Sequence, residues 1–205
     1  MANNKYLAVM KDNLWYNNPV FMQVLGICSA LAVTNNLINT GIMSIGVIFV
    51  TGFTNLTVSL SKNLIPRKIR MIIQTLFIAF YVILVDIILQ AYLPNISRSL
   101  GPYVGLIITN CIIMGRAEAF ASSNPPLISF WDGISSGTGY MLVLMLVAFI
   151  RELLGFGTLF GLRVLPENFI NWTIMLTPPS AFFIFGLLLW ALKSFMNKQG
   201  AAIKQ

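Results

Sequence analysis

The chain has 205 residues, 57% of them hydrophobic and only 9% charged, with 13 Lys and Arg against 6 Asp and Glu for a net charge of +7. Soluble domains carry roughly 25% charged residues, so too little polar surface is present to cover a water-soluble globule, and the expected solvent for most of the chain is lipid. The absence of histidine excludes His-ligated haem, His-ligated zinc and histidine acid–base chemistry. The basic residues sit between apolar runs rather than on one aromatic-interleaved face, which excludes a nucleic-acid reader.

The first nineteen residues are polar and aromatic and read as a cytoplasmic lead-in without a secretory signal. Long apolar runs then fall at about 20–34, 37–60, 69–93, 102–115, 136–154 and 174–195. The first and fourth are too short to span: a 15-residue helix is roughly 22 Å long against a hydrocarbon core of about 30 Å. The stretch from Arg116 to Gly133, with Asn124-Pro125-Pro126 and Asp132-Gly133, reads as an irregular cytoplasmic connection, partly re-entrant. Gly133-Ile-Ser-Ser-Gly137 and Gly157-Thr-Leu-Phe-Gly161 are small-xxx-small patterns that read as tight helix packing. The sequons at Asn95 and Asn171 read as chance matches.

With six crossings and a cytoplasmic N-terminus, Lys5, Lys11, Lys62, Arg67, Lys68, Arg70, Arg116, Lys193, Lys198 and Lys204 lie inside, and only Arg98, Arg151 and Arg163 outside. That bias places both termini in the cytoplasm. The two short segments resemble each other. Each starts near a proline, Pro19 or Pro102, and carries a cysteine nine residues later, Cys28 or Cys111. Each precedes two longer runs. The expected fold is therefore an all-α integral membrane domain over residues 1–205, built from six transmembrane segments as two inverted three-helix repeats (about 19–93 and 102–195), with segments 1 and 4 as short half-helices carrying the cysteines. The competing reading is that short membrane helices are common and the shared offset is coincidence.

Cys28 and Cys111 are the only cysteines. A membrane cysteine is usually a small buried hydrophobe, and from the residues alone packing stays the leading reading of the pair. Their matched placement raises the alternative: an inverted repeat would bring them together, where soft thiolates select copper(I), zinc or an iron–sulfur cluster. A cluster normally takes four cysteines, so a second copy or a related subunit would have to supply two more. Asp86 is the lone acid inside the third segment, either an ion-path residue or a residue near the outer end paired with Arg98. Arg116 with Glu118, and Arg151 with Glu152, flank span ends and read as structural charge pairing. No phosphate loop, GxGxxG or nucleophile triad is present, so no catalytic residue is assigned, and neither NADH binding nor hydride transfer is expected of this chain alone.

Leu25-Gly-Ile-Cys-Ser-Ala-Leu-Ala-Val-Thr34 and Ile108-Thr-Asn-Cys-Ile-Ile-Met-Gly-Arg-Ala-Glu-Ala-Phe-Ala121 resemble the two cysteine-bearing stretches of a membrane-subunit family. That family comprises the D subunits of the sodium-translocating NADH:quinone oxidoreductases and the E subunits of the Rnf electron-transport complexes. Ser129-Phe-Trp-Asp-Gly133, Arg151-Glu-Leu-Leu-Gly155 and Pro179-Ser-Ala-Phe-Phe183 add to the match, which runs from about Asn18 to Lys193. Ser29 after Cys28, where the Rnf protein typically has proline, and Asp86 after Leu84-Val85 favour the sodium pump. The resemblance implies a component of a six-subunit complex in the bacterial inner membrane. In it, Cys28 and Cys111 would supply two of the four ligands of a [2Fe-2S] cluster shared with the pump's own E subunit, a sister of this chain. It also implies electrons received from the cytoplasmic NADH-oxidising subunit and passed toward the covalent-flavin subunit and ubiquinone, coupled to sodium export. An Rnf subunit, a secondary transporter on the same inverted-repeat plan and a cofactor-free structural subunit are the competing readings.

Overall fold

A computed structural model describes residues 25–34, 36–92, 101, 103–155, 158–159, 162–163 and 177–202. Pro19, Arg98, Pro102, Gly157 and Gly161, together with both sequons, lie outside them. Gly26 turns the chain through a left-handed φ of 88° into the short helix α1, Ile27–Val33. Asn36 then caps α2, Leu37–Ser61, its side chain accepting from the Ile38 N–H at 3.1 Å. Pro66 and a 3-10 turn over Arg67–Ile69 lead into α3, Arg70–Tyr92. Helix α4 covers 103–108, stops at Thr109–Asn110 and resumes as α5, Cys111–Arg116. It ends in a wider π-type turn over Ala117–Ala121. Helix α6 runs over the 30 residues Pro126–Gly155. A two-residue hairpin pairs β1, Thr158–Leu159, with β2, Leu162–Arg163, and α7 covers Pro178–Ala202.

Among the described residues, four helical stretches are long and apolar enough to cross a membrane: Leu37–Ser61, Arg70–Tyr92, Tyr103–Ala121 and Pro126–Gly155. Helix α7 carries a shorter apolar stretch, Pro179–Ala191. Two expectations are corrected. The fourth segment does not stop at 115: α5 and its π-type turn extend it, through the break, to Ala121. The connection expected over Arg116–Gly133 shrinks to residues 122–125, because α6 starts at Pro126 and absorbs Asp132 and Gly133. Proline is favourable in a first helical turn, and the Asp132 carboxylate is tied to an arginine rather than to a turn backbone.

The core lies between α2 and α6, which run antiparallel: Lys62 beyond the end of α2 donates to the Asn124 carbonyl before α6 at 3.0 Å, while Leu37 N–H at its start donates to Glu152 near the end of α6 at 2.8 Å. Glycines let the backbones meet. A Cβ at Gly133 would fall 2.8 Å from the Thr51 carbonyl oxygen, and one at Gly137 would fall 3.0 Å from Ile48 Cα. This is the close packing expected of the Gly133–Gly137 pattern. Three buried hydroxyls of α2, those of Thr40, Ser44 and Thr51, donate to carbonyls four residues back. The outer side of α3 exposes Ile72, Leu76, Phe80, Ile83 and Ile87, a surface that suits lipid or another apolar protein.

Gly137→Leu should force α2 from α6 at the Ile48 contact, a cost of about 1–3 kcal/mol by overpacking. The expected result is a lower melting temperature of the detergent-solubilised protein, whereas Gly186→Ala, where nothing lies within 4 Å of the added Cβ, should leave it unchanged.

Candidate functional site

A short helix and an interrupted one meet where the cysteines sit. Cys28 is the second residue of α1 and Cys111 the first of α5, so each lies in the opening turn of a helical piece that starts inside the bundle. The Gly26 N–H donates to Cys111 Sγ at 2.8 Å, joining positions 85 residues apart. The two thiols are close enough to interact electrostatically. Cys28 is exposed and Cys111 half-buried, and neither forms a disulfide. The structure thus brings together the two residues singled out from their placement in the sequence.

Gly26 is the pivot. Its left-handed conformation aims its N–H at Cys111, and a Cβ there would lie 2.8 Å from Tyr140 Cε2 and 3.1 Å from Ile112 Cδ1. Its carbonyl accepts from Ala30 N–H at 3.1 Å and from Ser29 Oγ at 3.0 Å. Asn110 caps α5, its Oδ1 accepting from Ile112 N–H at 3.3 Å. Tyr140, near the midpoint of α6, is buried against this junction. The cysteine junction is therefore level with the middle of the longest span.

Among the described residues no group of three or more His, Cys, Asp and Glu side chains could hold a metal ion. What the chain offers is a pair of soft donors, with a backbone N–H already directed at one sulfur. That set fits one half of a four-thiolate iron–sulfur site, in which hydrogen bonds to sulfur are an ordinary feature. The exposed edge at Cys28 leaves room for donors from outside the chain.

The charged residues arrange themselves differently from their sequence neighbours. Arg116, buried, makes a two-pronged ion pair with Asp132, with Nε to Oδ2 at 3.1 Å, and its guanidinium lies 5.2 Å from the Phe120 ring centroid. Glu118 instead accepts from Gln74 at 2.7 Å and from Arg70 at 3.3 Å. Arg151 donates to Thr34 Oγ1 at 2.6 Å and to the Leu31 and Thr177 carbonyls, tying the end of α1 to the start of α7, while Glu152 caps α2. Asp132 escapes a reading of the sequence as a site residue because Asp-Gly looks like a turn. Its distance of sixteen residues from Arg116 carries no helical periodicity. Asp86 lies apart, half-buried on α3, accepting from Gln90 at 2.8 Å and lining an apolar cleft with Met43, Gly46 and Ile107.

The family profile described as Rnf-Nqr subunit, membrane protein, matches residues 6–189. The D subunit of the Na(+)-translocating NADH-quinone reductase of Pseudomonas paraeruginosa is 52% identical over 196 residues, 93% of this chain and 88% of that one. Its counterparts of the same name from Pseudoalteromonas translucida and Proteus mirabilis are 48% and 50% identical, each covering 97% of this chain and 98% of its own length.

Two outcomes follow from this geometry. Gly26→Ala should be destabilising by roughly 1–3 kcal/mol, since it combines a left-handed backbone with a ring clash, and should lower the melting temperature more than Gly105→Ala, which meets nothing within 4 Å. Asp132→Ala should cost about 3–5 kcal/mol by stranding the buried Arg116 charge, and the double replacement Arg116→Met with Asp132→Leu should recover much of that loss in the same thermal measurement.

Proposed function

The chain belongs to the Rnf-Nqr family of membrane subunits, and from that premise we propose that it is the D-type component of a sodium-translocating NADH:quinone reductase, holding half of an intramembrane [2Fe-2S] site. The observation that carries this reading is the meeting of Cys28 and Cys111 from two separate helices. Simple packing would not require the only two thiols of the chain to converge, nor one of them to stand exposed.

Each residue has a physical task. Cys28 and Cys111 would be the protein's two ligands. Gly26 N–H would stabilise the Cys111 thiolate through a hydrogen bond that forms before any iron arrives. Asn110 and the Gly26 turn satisfy backbone groups left open by the breaks, a requirement in lipid, where irregular backbone survives only inside protein or beside a cavity. When bound, a [2Fe-2S] cluster supplies one-electron transfer. Two further thiols would come from the sister E protein, with the covalent-flavin and NADH-oxidising subunits on either side of the membrane, and ubiquinone and sodium as the substrates of the whole complex.

The two inverted repeats belong to the same proposal. Both cysteines open helical pieces, and the long helices that follow them, α2 and α6, pack antiparallel at the centre. Both termini would then be cytoplasmic in the bacterial inner membrane. The end of the bundle carrying Lys62, Lys68 and Arg70 beside residues 122–125 would face inward.

Cys28→Ala and Cys111→Ala, each in the assembled complex, should remove one two-iron signal together with its iron and acid-labile sulfide and abolish electron flow from NADH to quinone. Unchanged iron in both variants would reject the ligand assignment. For orientation, Ser123→Cys should react with a membrane-impermeant thiol reagent from the cytoplasmic side of inverted vesicles and not in intact cells; the reverse would overturn the topology.

A further inference from the structure

We propose that Tyr140, Ser29 and Asn110 form a buried clamp that sets the spacing and orientation of the Cys28 and Cys111 thiols, with Tyr140 as the positioning residue contributed by a helix that carries neither cysteine. The proton count fixes the hydrogen-bond directions. Ser29 Oγ donates its only proton to the Gly26 carbonyl at 3.0 Å. The short contact between Ser29 Oγ and Tyr140 OH must then have the phenol as donor. Asn110 Nδ2 donates to both oxygens, at 3.5 Å to Ser29 and 3.4 Å to Tyr140, while its Oδ1 caps the helix that starts with Cys111.

The consequence is a continuous chain from α6 to a cysteine sulfur: Tyr140 O–H to Ser29, Ser29 O–H to the Gly26 carbonyl, and Gly26 N–H to Cys111 Sγ. Ser29 adjoins Cys28 in α1, and Asn110 adjoins Cys111, so the three polar groups fasten the two helix starts to each other beside the thiols. The Tyr140 ring closes the far side of Gly26, where it leaves no room for a Cβ. Tyr140 is 1% exposed and Ser29 and Asn110 fully buried. Buried networks of this kind are rigid when every member is satisfied. Cys28 sits on a helical piece of only seven residues, too short to hold its own direction without such support.

The spacing of the thiols follows from these contacts alone; its effect on a cluster rests on the ligand assignment proposed above. The test uses the whole purified complex carrying Tyr140→Phe, which keeps the ring and removes the hydroxyl, and Ser29→Ala, with Ser29→Thr as the hydroxyl-restoring control. After chelator treatment to strip iron, phenylarsine oxide bridges two thiols only when they are close together. The parent and Ser29→Thr should bridge Cys28 to Cys111 readily, and Tyr140→Phe and Ser29→Ala several-fold more slowly. In the untreated complex the same two variants should retain iron and shift the two-iron midpoint to lower potential, because a loosened Gly26 N–H bond to sulfur no longer favours the reduced, more negative cluster. Unchanged bridging in Tyr140→Phe, or a parent that does not bridge, would overturn the clamp. Slowed bridging combined with iron unaffected by Cys28→Ala would leave the clamp standing and reject the ligand assignment instead.

Discussion

Irregular backbone inside a bilayer leaves donors and acceptors that no water can satisfy, and the architecture of this chain is arranged around two such stretches, 25–26 and 109–110. The irregular backbone before α1 is satisfied at Gly26, whose carbonyl takes two hydrogen bonds and whose N–H is spent on Cys111 sulfur. The break before α5 is closed by Asn110. These solutions share atoms, because Asn110 and Ser29 reach each other and Tyr140. The two stretches thus form one junction, and the thiols sit at its edge.

The remaining elements hold that junction in place. The glycine-lined crossing of α2 and α6 brings the backbone carrying Tyr140 close to the centre. At one end Arg151 gathers the end of α1 and the start of α7, and Glu152 caps α2. Toward the other, the Arg116–Asp132 pair fastens α5 to α6 sixteen residues further along the chain. A buried ion pair is a weak source of net stability, since desolvation offsets most of the attraction. Here it ties the interrupted helix to its neighbour at a point buried from solvent.

Several of these features are legible in the sequence. Apolar run lengths locate α2 and α3 to within a residue or two, because an uninterrupted lipid-facing helix must be apolar throughout. The matched cysteines point to their convergence because only two thiols have to be considered. The breaks and pairings are harder to read. The wide turn at Ala117–Ala121 and the helical start at Pro126 depend on tertiary contacts, so charged and turn-forming residues there imitate a loop. Arg116 and Glu118, two apart, look like partners, yet residues two apart on a helix do not face each other; each pairs with an opposite charge on another helix. Tyr140 gives no signal at all, since an aromatic in an apolar span is ordinary packing until its hydroxyl is seen among polar neighbours.

If the junction of the two cysteine-bearing helices presents two thiols for completion by a second protein, a high-resolution map of the intact complex in lipid will show it most directly. The expected result is compact two-iron density touching Cys28 Sγ and Cys111 Sγ, with two more sulfurs from a neighbouring protein. A map with both thiols facing lipid or hydrocarbon side chains, and no such density between the two proteins, would contradict it.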